Sequence, residues 1–119
     1  MSTKQSTIAG RKPTQEEGDF SVITWAALAN GDQGAPAEYT HYADRSVQVS
    51  GTFGTGGVVV LEGSLDGTNY ETLTDPQGNA LSFTASKIEA VTEATRYIRP
   101  RVTAGDGSTS INVSVLVRR

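Results

Sequence analysis

From Ser46 onward, turn residues divide the sequence into segments of strand length, about one every ten residues, and no feature constrains the fold more. Residues 46–53 alternate Val47, Val49, Gly51 and Phe53 with Ser46, Gln48, Ser50 and Thr52, a period of two that turns one face inward. The glycines of 54–57 (GTGG) then reverse the chain, as a hairpin turn, into the continuous apolar run 58–61, the pattern of a central strand covered on both faces. Asp66-Gly67 precedes a strand at 70–73, and this dipeptide accepts the positive φ of a tight hairpin turn. After the turn DPQGN at 75–79, short strands are predicted at 81–84, 87–91, 97–103 and 111–117. The last two flank Gly105-Asp106-Gly107-Ser108 and read as a hairpin. Only 85–94 (ASKIEAVTEA) offers a helical turn as a competitor. Pro100 cannot donate to a ladder, so its strand is expected at an edge or with a bulge.

The N-terminal part differs. Residues 1–19 hold one strong hydrophobe beyond Met1, Ile8, among Ser, Thr, Lys, Gln, Gly, Pro and Glu, and read as an extended polar arm. Phe20, Val22, Ile23, Trp25 and Leu28 then crowd nine residues and predict a strand, followed by a loop at 30–37 (NGDQGAPA). At 119 residues the chain suits one core. The expectation is therefore all-β: an antiparallel β-sandwich of about eight strands over 20–119, with jelly-roll connections among the options, preceded by the arm. Val47, Val49, Phe53, Val58, Val60, Leu61, Phe83, Ile98, Val102, Ile111, Val113 and Val115 are expected mostly inside.

Composition narrows the chemistry. Without cysteine there are no disulfides, thiolate metal sites or cysteine nucleophiles, and His41 alone cannot form a histidine-rich metal centre. No apolar run approaches membrane-spanning length, and the first ten residues lack the apolar stretch of a signal peptide. GTFGTGG at 51–57 lacks the Lys-Ser/Thr or helix that a phosphate loop needs, so it reads as turn chemistry. Asp66, Asn69 and Glu71 lack the calcium-loop spacing. Asn112-Val113-Ser114 matches a glycosylation triplet inside an alternating strand, where chance is the better account. His41, between Tyr39 and Tyr42, has no visible catalytic companion. No enzyme, cofactor or metal is expected.

Charge is uneven. Residues 32–93 carry nine acids against Arg45 and Lys87, whereas from 94 onward five arginines face Asp106 alone. In 95–102 (TRYIRPRV), alternation places Tyr97, Arg99 and Arg101 on one face and Arg96, Ile98 and Val102 on the other. A partner-binding surface is expected at Arg96, Tyr97, Arg99 and Arg101, with Lys4, Arg11 and Lys12 of the arm. The alternative is internal pairing with acids such as Glu62, Glu71 or Glu89. If Arg99 and Arg101 are exposed, reversing both charges should change stability by less than about 1 kcal/mol. A sequence pI of about 5.0 disfavours nucleic acid.

Two resemblances add to this reading. Residues 61–73 (LEGSLDGTNYETL) and 95–102 resemble the paired strands of discoidin-type, galactose-binding-like sandwiches, with Tyr70 where that family often has tryptophan. This implies a carbohydrate-binding module, with Trp25, Tyr39, Tyr42, Tyr70 and Tyr97 as stacking candidates. The stretch 46–119, including VSGTFGTGGVVVLEGSLDGTNY and the closing VSVLVRR, resembles small accessory structural proteins of tailed bacteriophages. That resemblance implies a capsid decoration or cement protein on the head exterior, in many symmetric copies. Its partner would be the major capsid protein or another virion protein, and a tail or neck adaptor is the variant reading.

Overall fold

The computed structural model describes residues 2–10, 20–38 and 43–118. Twelve strands occur among the described residues: β1 (Thr3–Lys4), β2 (Ser6–Gly10), β3 (Phe20–Leu28), β4 (Gln33–Gly34), β5 (Ala37–Glu38), β6 (Asp44–Thr52), β7 (Val58–Ser64), β8 (Glu71–Thr72), β9 (Ser82–Phe83), β10 (Lys87–Val91), β11 (Tyr97–Ala104) and β12 (Ser110–Arg118). There is no helix among the described residues. The first sheet runs β1-β4-β11-β7-β8, with β5 also on β11 and β9 also on β7; the second runs β10-β6-β12-β3-β2. The chain is thus the all-β sandwich that its period-two segments predict, and 87–91, where a helical turn competes, is strand.

Inner-face residues interlock between the sheets, with Ile23, Trp25, Val47, Val49, Ile111, Val113 and Val115 from the second against Val59, Leu61, Ile98 and Val102 from the first. Phe53, expected inside, is only partly buried because it lies at the corner where the chain leaves one sheet for the other, and Val58, also expected inside, falls by alternation on the outer face of β7. Burial of Val60 has a different cause. Alternation puts it on the outer face of β7, so it is covered from outside the sandwich.

Two sequence expectations change in the folded chain. Residues 54–57 and 105–108 are not hairpin turns: β6 and β12 belong to the second sheet, β7 and β11 to the first, so both loops are corners between sheets. A corner needs the same glycines as a hairpin, and Gly54 and Gly56 take φ of 72° and 70°. The corners are tied together through Asp106, whose carboxylate accepts the Thr55 N–H at 2.8 Å, while the Thr109 hydroxyl donates to the Phe53 carbonyl at 2.8 Å.

The second change concerns Pro100. Its strand, β11, is internal, paired with β7 on one side and with β4 and β5 on the other. The Val102 N–H donates to the Asp32 carbonyl, so by alternation the Pro100 nitrogen faces the same side, where pairing is interrupted between Gln33 and Ala37. The ladder breaks where proline has nothing to donate, and the register shift against β7 falls elsewhere, between Val102 and Ala104. A real bulge lies in β3, where Ala27 adopts φ of 56° and its N–H donates to the Asn112 side-chain oxygen.

The segment expected as an arm is extended, and from Thr3 to Gly10 it is paired: β1 parallel with β4 in one sheet, β2 antiparallel with β3 in the other. The buried Asp32 anchors it, accepting from the Ser2 hydroxyl at 2.6 Å and the Ala29 N–H at 2.9 Å, with Lys4 Nζ at 3.9 Å. The sheets therefore draw on residues ahead of Phe20.

Gly34 sits where an added Cβ would lie 2.6 Å from both Pro100 Cδ and Trp25 Cδ1. Gly34→Ala should destabilise the fold by about 1–3 kcal/mol in chemical denaturation. Gly107→Ala, with open space at its Cβ, should stay within about 0.5 kcal/mol. Equal effects would refute the close packing.

Depressed aspartates set an acid dependence, Asp32, Asp75 and Asp106 together with Asp66. Burial opposes ionisation of Asp32, but the Ser2 hydroxyl, the Ala29 and Ser2 N–H groups and Lys4 outweigh it and hold its pKa below the usual 3.8. Asp75 is lowered by the Asn79 N–H above all, and Asp106 by the Ser108 hydroxyl and then the Thr55 N–H. A depressed carboxylate contributes fully above its unfolded pKa and loses that contribution as pH falls through the folded value. Urea stability should therefore be level from about pH 7 to 5 and decline below about pH 4, and Asp32→Asn should shallow the decline.

Candidate functional site

The outer face of the first sheet carries the charged cluster. Alternation along β11 sends Ile98, Pro100 and Val102 into the core and Tyr97, Arg99 and Arg101 outward, as the sequence predicts. Arg99 stands directly across from Glu62 on β7, and Arg101 is its diagonal neighbour. Arg99 Nε donates to Glu62 Oε1 at 2.7 Å and Arg101 Nε to Oε2 at 3.2 Å, so one carboxylate holds two guanidinium groups. Glu62 is 3% exposed. Of the acids considered for pairing, register selects Glu62; Glu71 and Glu89 lie elsewhere.

Aromatic contacts complete the arrangement. The Arg99 guanidinium lies 3.7 Å from the centroid of the Tyr70 ring, which the loop at 65–70 brings over the sheet. Burial pushes the Tyr70 hydroxyl pKa up. Its Oη has no hydrogen-bond partner among the described residues. Gly67 in the same loop, at φ of 79°, would bring a Cβ to 3.2 Å from the Tyr97 ring. That loop is shaped by Asp66, which accepts the N–H groups of Thr68 and Asn69 and the Ser64 hydroxyl, leaving its carboxyl far below the usual range.

Arg96 stands apart from the clamp. It pairs with the exposed Glu38, which raises its pKa, and lies 5.0 Å from the Tyr97 ring centroid. Lys4 is in register with Gly34, whose missing side chain would point at Trp25 and Pro100, so Lys4 belongs to the core-facing side and not beside Arg101. Arg11, Lys12, His41, Tyr39 and Tyr42 lie outside the described residues. The structure thus brings together Tyr97, Arg99 and Arg101 and adds Glu62 and Tyr70. Tyr70 as the surface under Arg99 was not readable from spacing, because only the loop conformation carries it there.

The strand carrying these arginines is internal and Glu62 is buried, so the small cost expected for reversing both charges does not apply. A glutamate at 99 or 101 would face a buried carboxylate, and like charges there repel strongly. Each arginine is held through Nε on Glu62, and the Arg99 guanidinium also lies against the Tyr70 ring. With side chains 18% and 39% exposed, they present fixed forked donors suited to a carboxylate or another oxyanion.

A cleft of about 430 Å³ opens beside the same loop, lined by Leu65, Asp66, Asn69, Glu71, Glu93 and Thr95 among others. Two of its carboxylates are already engaged: Asp66 within its turn, and Glu93 by the N–H and hydroxyl of Thr74 from a distant segment. No group of three or more His, Asp or Glu side chains gathers to hold a metal among the described residues.

No protein-family model matches the chain, and no curated protein does. Among solved structures, the fold is similar to that of the SPBc2 prophage-derived protein YomS, with a TM-score of 0.64 and 12% identity over 84% of this chain and 95% of that one. KdgF from Halomonas sp. (TM-score 0.45, 14% identity, 96% and 77% covered) and protein NMB1881 from Neisseria meningitidis (0.44, 13%, 97% and 83%) are too distant to inform function.

Arg99→Ala should cost about 1–3 kcal/mol, since it leaves a buried Glu62 with one partner and uncovers Tyr70. Arg101→Ala, more exposed and screened by solvent, should cost under about 1 kcal/mol. Urea denaturation of the two variants measures this difference, and a larger loss for Arg101→Ala would contradict the assigned geometry.

Proposed function

We propose that this protein is a structural component of a bacteriophage particle, in the form of a decoration protein that binds the outside of the head in many copies and reinforces it. The observation that carries the reading is the fold match, over 84% of this chain and 95% of the other, to a prophage-derived protein. Two further features support it. The N-terminal segment is woven into the edges of both sheets, which suits a small domain that must resist disassembly. The arginine clamp offers preordered donors on a broad sheet face, and preordering lowers the entropy cost of docking on acidic side chains. Under this reading Tyr97, Arg99 and Arg101 meet the capsid surface.

The test uses particles of the phage or prophage that encodes this chain, purified on a density gradient. Mass spectrometry should find the chain in stoichiometric amounts, and cryo-electron microscopy should place it at repeated positions on the head. Particles from a deletion strain should release DNA at a lower temperature than the parent. Absence from washed particles would overturn the structural role, and density confined to the tail or neck would overturn the head assignment.

A further inference from the structure

Strand β10 forms one edge of the second sheet: it pairs with β6 on one side and with no described strand on the other. Just past its end, the Thr92 N–H donates to the Thr74 carbonyl at 2.9 Å. Thr74 lies on the side away from β6, so by alternation the backbone groups of Ile88 and Ala90 also point outward from this edge. Edges of this kind are templates for another strand unless something blocks them.

The side chains along the edge are patterned. Ile88 is 63% exposed on the outer face, where it borders a groove of about 270 Å³ with Val22 and Leu116, rimmed by Ser46, Gln48 and Ser114. Lys87 and Glu89 flank it with opposite charges, their polar ends 3.6 Å apart.

We infer that this edge pairs antiparallel with the same edge of a second copy, about a twofold axis through Ile88. Backbone geometry and charge select that register. The outward-facing groups belong to even-numbered residues, which must pair with one another; an axis at Lys87 or Glu89 also allows this but sets Lys87 against Lys87 or Glu89 against Glu89, like charges directly opposite each other. An axis at Ala90 would set Ile88 against Thr92, whose N–H is already held by Thr74. An axis at Ile88 exchanges the N–H and C=O of the two Ile88 residues and sets Ser86 opposite Ala90. It also places each Lys87 across from the Glu89 of the other copy, at the close non-hydrogen-bonded spacing where opposite charges favour pairing. The two Ile88 side chains meet on the outer face and join the grooves of the two copies. The two five-stranded sheets become one of ten strands. The competing view is that Lys87 and Glu89 only protect a solitary edge from pairing.

Sedimentation of the isolated full chain over about a hundredfold range of concentration decides between them, independently of any role in a particle. The native chain should show a monomer–dimer equilibrium. Lys87→Glu should weaken dimerisation about tenfold or more, and Lys87→Glu combined with Glu89→Lys should restore it. Ala90→Pro should abolish the dimer while leaving the circular dichroism spectrum unchanged, because the N–H it removes is one that the chain's own ladder does not use. A native chain that stays monomeric throughout overturns the inference. So does a dimer that survives both Lys87→Glu and Ala90→Pro, or one that the double exchange fails to restore.

Discussion

The contact between the two sheets depends on how Trp25 is accommodated. The indole comes from β3 of one sheet, is wholly buried, and donates its N–H to the Ala35 carbonyl beside β4 of the other at 2.9 Å. Space for it exists because position 34 is glycine, and the Pro100 ring closes the same pocket from β11. This packing accounts for two irregularities together. The strand beside β11 breaks into β4 and β5 around residues 35–36, which frees the Ala35 carbonyl for the indole, and proline tolerates that break because it has no N–H to leave unsatisfied. Polar satisfaction and packing are solved at one place.

The outer face of the first sheet follows from that arrangement. With Ile98, Pro100 and Val102 committed inward, Arg99 and Arg101 can only point out, over β7. There the buried Glu62 decides their behaviour. A carboxylate so enclosed requires donors on both oxygens, and two guanidinium groups supply them. What reads in the sequence as a basic stripe is therefore a partly neutralised cluster, rigid at Arg99 and looser at Arg101. The same contacts that stabilise the sheet hold the remaining donors in a fixed orientation.

The edges of the sandwich are treated unequally. At one side of the molecule β1 and β2 close the sheets with a segment of polar composition, fastened through Asp32. At the other, β10 keeps an exposed isoleucine between two opposite charges. The open edge of β10 and the outer face that carries Arg99 and Arg101 are thus two distinct surfaces, one offering backbone groups and the other guanidinium groups.

Local pattern determined the longer strands from Phe20 onward, because side-chain alternation and glycine placement are properties of neighbouring residues, whereas β4 and β5 formed where composition reads as a loop and β1 and β2 where it reads as an arm. β10 lies where the sequence reading puts it, and the inward parity of Val47, Val49, Ile98 and Val102 follows from a period of two. That parity also put Tyr97, Arg99 and Arg101 on one face before any partner was known. Tertiary structure decided which strands are neighbours. A glycine-rich loop can turn a chain back within a sheet or carry it across to the other, and its sequence is the same in both cases, so the corners at 54–57 and 105–108 were not legible as corners. Likewise the role of Glu62 is set by register with Arg99, a long-range quantity, and the weaving of Thr3–Gly10 into both sheets rests on backbone hydrogen bonds, which any polar segment can make and composition does not encode.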